Sequence, residues 1–342
     1  MIRVQAMIRT IAELEERLSR PSAADVEAMA QLDGDLMILG VGGKMGPTLA
    51  MRARRAMDEA GVRRRVYGVA RFTDAEAHER MAEAGIECVQ ADLLDRTQIE
   101  ALPECEYVIH AAGRKFGSTA DPSLTWAMNV LVPAMVCERF RQSKIVAFSS
   151  GNVYAFSRYG ATEQDAPVPV GEYAWTGLGR ERMFEYHAKR NGTPTVLLRL
   201  NYAQELRYGV LLEIGAKVFE RRPVDVTMGA VNAIWQGDAN SAALRAFPLA
   251  ATPAAIVNLA GPETLSVRTV AQRFGRHFGV TPEFTGQEAP DALLNDAGLC
   301  HRLFGYPSVT PDEMIEWMAQ WIGMGGETHG KPTGFMTRDG KF

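Results

Sequence analysis

The sequence contains little of what marks a metal-binding, disulfide-bonded or nucleic-acid-binding protein. Its four cysteines are scattered without a CxxC pair, and its six histidines form no metal-ligand spacing. We therefore expect reduced thiols and no metal site. The net charge of −4 and a single short basic run, GVRRRV at 61–66, give no reason to expect binding to nucleic acid or to an anionic membrane.

Long apolar segments are also missing. No run of 18 apolar residues occurs, so no membrane-spanning helix is expected. Acidic residues interrupt the first 18 residues before the apolar core of a secretory signal could form. These absences predict a cytoplasmic protein. The composition, 46% hydrophobic and 23% charged, is typical of a globular chain with one large core or two modest ones.

Between residues 34 and 205, short apolar runs alternate with amphipathic stretches. Six runs predict strands, at 35–43, 65–71, 86–95, 107–113, 144–150 and 194–201. The intervening segments predict helices, including one long helix over 123–142. Such alternation predicts an α/β fold, a doubly wound parallel sheet of the Rossmann type.

The chain outside 34–205 has a different pattern. Residues 1–33 predict an N-terminal helical extension, with Thr10 and Glu13 forming a capping box and Ser22 beginning a second helix. Residues 206–322 predict a smaller, mostly helical substrate lobe, of which about 230–262 returns to the sheet. The Gly-, Thr- and Lys-rich segment 323–342 has no periodicity and predicts a C-terminal arm, either loose or embracing a partner.

The sequence LGVGGKMG places glycines at 40, 43 and 46 between the first strand and the first helix of the alternating region. A glycine loop at this point lets the backbone approach a pyrophosphate, which the helix N-terminus then holds. We predict that Gly40, Gly43, Lys44, Met45 and Gly46 contact a dinucleotide. A plain tight turn is the alternative. A P-loop is excluded because Met45, not Ser or Thr, follows Lys44.

The end of the second strand bears on the choice of cofactor. An Asp or Glu there would bind the ribose 2′-hydroxyl of NAD. The strand instead ends in Ala70 and Arg71, and no carboxylate follows until Asp74. Arg71 could pair with a 2′-phosphate, with help from Lys44, which favours NADP over NAD. NAD stays possible, since Arg71 could equally be a solvent-exposed residue without a ligand.

Several further motifs follow in order: ADLLD (91–95), HAAG (110–113), FSSGNVY (148–154), LRLNYA (198–203) and WQGDANSAALRAF (235–247). With the glycine loop, they make the chain, from about 34 to 322, resemble an extended short-chain dehydrogenase/reductase of the NAD-dependent epimerase/dehydratase family. The resemblance implies a homodimer formed through two long helices. It also implies further cofactor contacts, from Asp92, Leu93, Ala111, Ala112, Gly113 and Asn129.

The family's catalytic Ser/Thr, Tyr and Lys are only partly present. The resemblance places Ser150 at the Ser/Thr position and Tyr173 at the general acid/base. Gly177 occupies the position of the lysine, four residues after Tyr173 on the same helix face. Arg180 lies on nearly the same stripe and is the candidate substitute. A surface position for Arg180 is the alternative.

Two other departures concern the reaction. Gly177 and Gly179 stand in one helical turn, which suggests that cofactor, substrate or a neighbouring strand approaches the helix closely there. The sugar dehydratases of the family carry an Asp–Glu pair directly after their Thr. This chain has Gly151 and Asn152 at those positions, which disfavours dehydration.

Polar loop residues suggest a substrate pocket. Lys115, Asn152, Asn201 and Arg207, with Arg114, could bind a carboxylate or phosphate, or could simply be solvated. Two hypotheses result. The first is an NAD(P)-dependent oxidoreductase or epimerase acting on a small-molecule sugar or sugar acid through Ser150 and Tyr173. The second is a non-catalytic NADP-binding protein with a regulatory or structural role.

Overall fold

The computed structural model describes residues 7–341, so residues 1–6 of the predicted extension and residue 342 of the predicted arm lie outside the described part. Thirteen α-helices occur in this part of the chain. They are α1 Ile11–Ser19, α2 Ala23–Ala30, α3 Gly46–Glu59, α4 Ala75–Glu83, α5 Arg96–Glu100, α6 Pro122–Trp126, α7 Val132–Arg139, α8 Glu172–Asn191, α9 Val210–Phe219, α10 Gln236–Arg245, α11 Val267–Phe278, α12 Gly298–Phe304 and α13 Pro311–Gly323.

Thirteen strands accompany these helices within residues 7–341. They are β1 Leu36–Leu39, β2 Val66–Ala70, β3 Glu87–Gln90, β4 Tyr107–His110, β5 Lys144–Ser150, β6 Thr195–Leu200, β7 Ala203–Gln204, β8 Val224–Asp225, β9 Ala230–Val231, β10 Ile234–Trp235, β11 Ala255–Leu259, β12 Leu265–Ser266 and β13 Phe284–Thr285. All six predicted strands of the alternating region are present, and most are shorter than their apolar runs because the residues at the ends form turns.

The main sheet has seven strands in the order β11-β6-β5-β4-β1-β2-β3, and every neighbouring pair is parallel. The strand order reverses between β1 and β4, as in a doubly wound sheet. The predicted Rossmann fold is therefore confirmed.

Alternate residues of the central strands pack on opposite faces of the sheet. Leu36 and Ile38 belong to a core formed with α3 and α10, whereas Met37 and Leu39 belong to a core formed with α7 and α8. All four side chains are fully buried. This explains why the strand is a continuous apolar run: both of its faces are covered by helices.

The two N-terminal helices form as predicted, and each begins with a capping box, Thr10–Glu13 on α1 and Ser22–Asp25 on α2. They are tied to the sheet domain by a buried ion pair between Asp25 and Arg52 of α3, with Nη2 2.6 Å from Oδ2. Ser241 of α10 donates a hydrogen bond to the second oxygen of Asp25. The extension is thus an integral layer of the fold.

The helix predicted over 123–142 is interrupted. Residues Ala127–Leu131 form a π-helical turn between α6 and α7, and the Val132 amide donates to the Ala127 carbonyl. Pro133 explains the change, because its ring lacks an N–H and would clash with the carbonyl of residue 129 in a regular helix. Such π turns are frequent at functional sites. This one carries Asn129.

The second lobe is mostly helical, as predicted, with α9, α11 and α13 packed around a separate core and three two-stranded ladders at its edges. Of the segment 230–262, helix α10 packs against the N-terminal helices and α3, and only β11 joins the sheet, beside β6. Leu14 and Leu18 of α1 also enter the core of this lobe, so the extension bridges both parts.

The arm predicted from residue 323 is not loose over its described part. Phe335 is 3% exposed within the core of the lobe, and Arg338 forms an ion pair with Asp291. We refer to residues 327–341 as the C-terminal tail.

No helix of the described residues has the length and apolar character needed to cross a membrane.

Candidate active site

The carboxyl ends of β1, β4 and β5 open into a cavity of about 540 Å³ at the point where the strand order reverses. Ligands of open α/β sheets bind at such a switch point. A second cleft, of about 550 Å³, lies at the amino ends of β4 and β5 and is lined by residues of two surface ion pairs, Arg96–Glu138 and Arg139–Glu104. Because the glycine loop belongs to the first cavity, we take that one as the site.

The glycine loop has the geometry that a dinucleotide requires. Gly40 has φ +94°, and a Cβ there would lie 2.7 Å from the backbone of Ala112 at the end of β4. A Cβ on Gly46 would lie 2.4 Å from Val41 of the same loop. Helix α3 then begins without a side-chain cap and without an acidic residue in its first turn. Its N-terminus is therefore available to a pyrophosphate, and the residues present fit a dinucleotide.

Some of the predicted cofactor residues line the cavity and others do not. Those that line the cavity are Gly40, Gly43, Lys44, Met45, Gly46, Ala111 and Gly113. Ala112 lies directly behind Gly40. Arg71, Asp92 and Leu93 are not part of the lining.

The three residues outside the lining have the following positions. Arg71 is exposed just beyond the end of β2, and Leu93 is buried in the sheet core. Asp92 accepts a hydrogen bond from the Leu94 amide, at 3.0 Å, within its own turn.

Lys44 does not lie where the sequence suggested. Its Nζ donates to the Ala203 carbonyl at 2.9 Å and sits 4.4 Å from the centroid of the Tyr208 ring. The side chain thus extends toward the second lobe and not toward Arg71, which corrects its predicted role beside a 2′-phosphate. Burial lowers the pKa of Lys44 to about 8, and the charges of Lys115 and Arg207 act in the same direction, against the attraction of Glu205.

Ser150, Tyr173 and Arg180 all line the cavity, as predicted. Ser150 ends β5, and its Oγ donates to Asn152 Oδ1 at 3.0 Å and accepts from the Asn152 amide at 3.2 Å. Tyr173 lies in the first turn of α8, whose N-terminus begins at Gly171, φ +82°. One loop, residues 151–171, connects the end of β5 to the start of α8. Through it, the side chains of Ser150 and Tyr173 reach the same cavity.

Arg180 is held tightly at the floor of the cavity and is 8% exposed, so the surface alternative is wrong. Its Nη1 donates to the Phe148 carbonyl at 2.9 Å, and its Nη2 donates to Asn129 Oδ1 at 2.6 Å. Burial lowers the pKa of Arg180, and the nearby Tyr173 oxygen, when ionised, opposes that shift.

Asn129 is fully occupied within the protein. Besides Arg180, its Oδ1 accepts from the Arg114 amide at 2.8 Å, and its Nδ2 donates to the Arg114 carbonyl and the Thr176 hydroxyl, both at 2.9 Å. All hydrogen-bonding positions of the amide are used. Asn129 therefore positions the loop after β4 and Arg180, and its implied contact with a cofactor stays a prediction.

The two glycines of α8 have unequal roles. A Cβ on Gly179 would lie 2.7 Å from Val130 Cγ2, so the close approach comes from the π-helical turn. A Cβ on Gly177 would meet only Val153 Cγ1, at an ordinary 3.6 Å. Within the protein, then, the close approach that was expected from cofactor, substrate or a neighbouring strand comes from the π-helical turn and concerns Gly179, whereas the protein leaves room for a side chain at Gly177.

The predicted substrate residues Lys115, Asn152, Asn201 and Arg207 also line the cavity. Asn201 donates its amide to Asn232 at 2.7 Å. Arg207 is neutralised by Glu205 and by Glu15 of α1, at 3.2 and 3.1 Å. Arg207 therefore brings no uncompensated positive charge to the expected anion site.

Lys115 stays a strong candidate. Its Nζ donates to the Thr333 carbonyl of the C-terminal tail at 2.7 Å and lies 5.8 Å from the centroid of the Tyr173 ring. Burial lowers its pKa to about 8, against the attraction of Glu213. Among the described residues, Lys44, Arg114 and Arg180 form no ion pair, and all three donate to neutral oxygens. The cavity therefore attracts anions.

Several residues around the cavity were not expected from the sequence. Glu15, Tyr202, Tyr208, His329, Lys331 and Thr333 line it, and Glu205 and Glu213 stand behind it. Glu15 belongs to the N-terminal extension, and the last three lining residues belong to the C-terminal tail. The one sequence signal that could have indicated the residues from the two termini was that they are polar and lie in terminal segments without a clear periodic pattern.

A Rossmann sheet with an uncapped glycine-loop helix, a serine at the end of β5 and a tyrosine in the first turn of α8 agrees with the resemblance to the short-chain dehydrogenases/reductases. Residues 36–203 match the model of the NAD-dependent epimerase/dehydratase family. The chain thus carries a domain of that family, and the resemblance drawn from its motifs is confirmed. None of the curated proteins compared with the chain matches it.

Solved structures give the same fold. UDP-glucose 4-epimerase of Thermotoga maritima, with UDP-glucose, is 16% identical, covers 84% of this chain and 98% of its own, and has a TM-score of 0.69. UDP-glucuronic acid 4-epimerase of Bacillus cereus, with UDP-glucuronic acid and NAD, is 16% identical with 84% and 99% coverage and a TM-score of 0.69. UDP-glucose 4-epimerase of Thermus thermophilus, with NAD, is 20% identical with 84% and 98% coverage and a TM-score of 0.66.

Proposed function

We propose that the protein is an NAD(P)-dependent oxidoreductase or epimerase that acts on a hydroxyl or carbonyl group of a sugar or sugar acid. The observation that carries the proposal is that Ser150 and Tyr173 face the same cavity as the free N-terminus of α3. The ligands of the structural relatives, UDP-sugars and NAD, support a sugar and a nicotinamide cofactor.

Each residue has a distinct role in this proposal. Ser150 Oγ would turn its hydrogen from Asn152 Oδ1 to the reacting oxygen of the substrate, while it still accepts from the Asn152 amide. Tyr173 gives or takes the proton of that oxygen, and Arg180 stabilises the phenolate. A nicotinamide dinucleotide bound at the glycine loop would supply the hydride acceptor and donor for the reaction. The loop glycines and the N-terminus of α3 would hold its pyrophosphate.

The choice between NADP and NAD depends on Arg71. Its exposed position just beyond the end of β2 lets its side chain turn toward a 2′-phosphate, and no carboxylate follows before Asp74. Asp74 is itself engaged as the N-cap of α4, accepting from the Ala77 amide at 2.9 Å. We therefore propose NADP as the preferred cofactor.

The test is Tyr173→Phe, assayed by nicotinamide absorbance against a panel of sugars and sugar acids. The variant should lose turnover by at least about a hundredfold, since acid–base groups contribute roughly that much or more, while cofactor affinity stays within a few-fold. Tyr159→Phe is the matched control, because Tyr159 is 87% exposed. Retention of turnover in Tyr173→Phe would refute the proposed role.

The contribution of Arg180 has its own readout. Arg180→Ala removes the cation that favours the phenolate, so the rising limb of the pH–rate profile should move to higher pH. Arg180→Lys keeps a charge and should move it less. An unchanged profile in both variants would exclude Arg180 from proton transfer.

One observation favours the non-catalytic alternative: the lysine position is Gly177, with room for a side chain and only Val153 near it. In that case the nucleotide would bind and stabilise the chain without turnover. Wild-type protein that binds NADP(H) but converts no member of the panel, with Tyr173→Phe binding equally well, would support this alternative.

We also propose a homodimer through the helices α6 to α8. Four large side chains of this surface are 43–53% exposed: Trp126, Leu131, Trp175 and Tyr186. Exposed large apolar side chains are typical of an interface when they lie together on one surface.

A further inference from the structure

The C-terminal tail crosses the mouth of the cavity between the sheet domain and the second lobe. On the sheet side, the Thr333 carbonyl accepts from Lys115 Nζ at 2.7 Å. On the lobe side, the Thr333 hydroxyl donates to Glu213 Oε2 at 2.8 Å, and the Thr333 amide donates to the other oxygen of that carboxylate. One tail residue therefore bridges both walls.

The far end of the tail is fixed as well. Arg338 pairs with Asp291 and lies 4.2 Å from the centroid of the Phe156 ring. Gly340 packs on Gly171, the N-cap of the helix that carries Tyr173, so closely that a Cβ on Gly340 would lie 2.3 Å from the Val170 carbonyl oxygen. This contact ties the tail to the start of α8.

A chain of polar contacts and ion pairs joins the tail to the N-terminal extension beside the same cavity. His329 Nε2 lies 3.1 Å from Glu205, and the His329 amide donates to the Arg207 carbonyl at 3.0 Å. Arg207 in turn pairs with Glu15 of α1. Both terminal segments thus enclose the space, and the solved relatives are shorter chains that leave about 16% of this one unmatched.

The cavity that the tail borders has a volume of about 540 Å³, within the range of roughly 300–1,000 Å³ typical of a cleft for one ligand. His329, Lys331 and Thr333 of the tail line it together with the glycine loop. Because Thr333 bridges its two walls, a substrate that carries its own nucleotide beside the cofactor would have to displace the tail.

Cationic side chains line this cavity from three elements. Lys115 comes from the loop after β4, Lys44 from the glycine loop, and Lys331 from the tail, 5.7 Å from the centroid of the Phe116 ring. Glu205 and Glu213 offset part of the charge of Lys44 and Lys115. The three lysines favour a carboxylate-bearing ligand.

We propose that the C-terminal tail is the outer wall of the substrate pocket, and that it restricts the substrate to a free sugar acid without a nucleotide. This inference rests on the proposed sugar-directed activity. It adds a substrate class and assigns specificity to Thr333, Lys331 and the contacts that hold the tail.

The test compares binding of galacturonate and of UDP-glucuronate to the NADP-loaded protein by calorimetry. Two full-length variants release the tail: Arg338→Glu, which repels Asp291, and Gly340→Val, which clashes with Val170. Arg273→Glu is the matched control, since it also breaks an Arg–Asp pair, with Asp312, on the surface of the lobe.

Wild type and the control should bind galacturonate and give no measurable heat with UDP-glucuronate. Both release variants should lose galacturonate affinity by about tenfold or more, with the loss of one charge-assisted contact, and gain UDP-glucuronate binding. Equal affinity of wild type for the two sugars, unchanged binding after release, or no binding of either sugar to any form would overturn the inference. Cofactor occupancy, measured separately by native mass spectrometry, distinguishes these outcomes from failure of the proposed function.

Discussion

Lys44→Met should stabilise the ligand-free protein, although it removes a hydrogen bond. The pKa of Lys44 falls from 10.5 to about 8 on folding, mainly through burial. A shift of about 2.5 units corresponds to roughly 3 kcal/mol against the charged side chain at neutral pH. Contact with water in the cavity and loss of the bond to the Ala203 carbonyl, roughly 1 kcal/mol, reduce the net gain to about 1–2 kcal/mol.

The assay is thermal unfolding of the apoprotein at several pH values. With an unfolding entropy of about 2.1 cal/mol/K for each of 342 residues, a gain of about 1–2 kcal/mol raises Tm by about 1–3 °C. Methionine fills similar volume without charge, so packing against Tyr208 is retained. Lys189→Met, at an exposed position of α8, is the control and should leave Tm unchanged.

The pH dependence identifies the cause. Between pH 8 and 10.5 the unfolded chain still binds the Lys44 proton while the folded chain has released it, so wild-type stability rises relative to the variant as the pH increases through this window. The gain from Lys44→Met should be complete below pH 8 and should fade toward pH 10.5. A variant that is less stable than wild type at pH 7, or a difference independent of pH, would refute the reasoning.

Three further predictions concern other sites. Arg71→Ala should weaken NADP binding by about tenfold, the loss of one charge-assisted contact, and leave NAD binding unchanged in fluorescence titrations; equal losses for both would remove Arg71 from cofactor choice. Gly177→Ala should raise the free energy of unfolding by up to about 1 kcal/mol. Gly179→Ala, whose added methyl group meets Val130, should lower it by about 1–3 kcal/mol. Effects of the same sign for both variants in urea unfolding would contradict the packing described. Leu131→Asp should convert a dimer to a monomer in light scattering, and an unaltered mass would place any interface elsewhere.

The sequence predicts those parts of the fold that depend on the pattern of neighbouring residues. Most of the apolar runs that became β1 to β6 are buried on both faces, so each is recognisable without knowing its neighbours. Gly40 and Gly46 are required by contacts a few residues away or at the adjacent strand end. Arg180 was found because helical periodicity alone places it on the stripe of Tyr173.

The parts that sequence reasoning missed depend on contacts between distant residues. Arg207 and Glu15 are 192 positions apart, and Lys115 and Thr333 are 218 positions apart. No local pattern reports that such side chains meet. Lys44 shows a related problem: its position in the glycine loop is clear from the sequence, but the direction of its side chain depends on Tyr208 and Ala203 of another segment.

The expected replacement of the family's helix-borne lysine by Gly177 fits a site whose positive charge comes from other elements. Arg180 lines the same cavity as Tyr173 and is held by Asn129 and Phe148, and Lys115 lies 5.8 Å from the centroid of the Tyr173 ring and donates to the tail. A lysine at 177 would add a further cation to this cavity, where burial and, after it, the charges of Lys115 and Arg207 lower the pKa of Lys44. Glycine at 177 is therefore consistent with a rebuilt site, in which, under the proposed function, the contact between the tail and Lys115 would also support Tyr173.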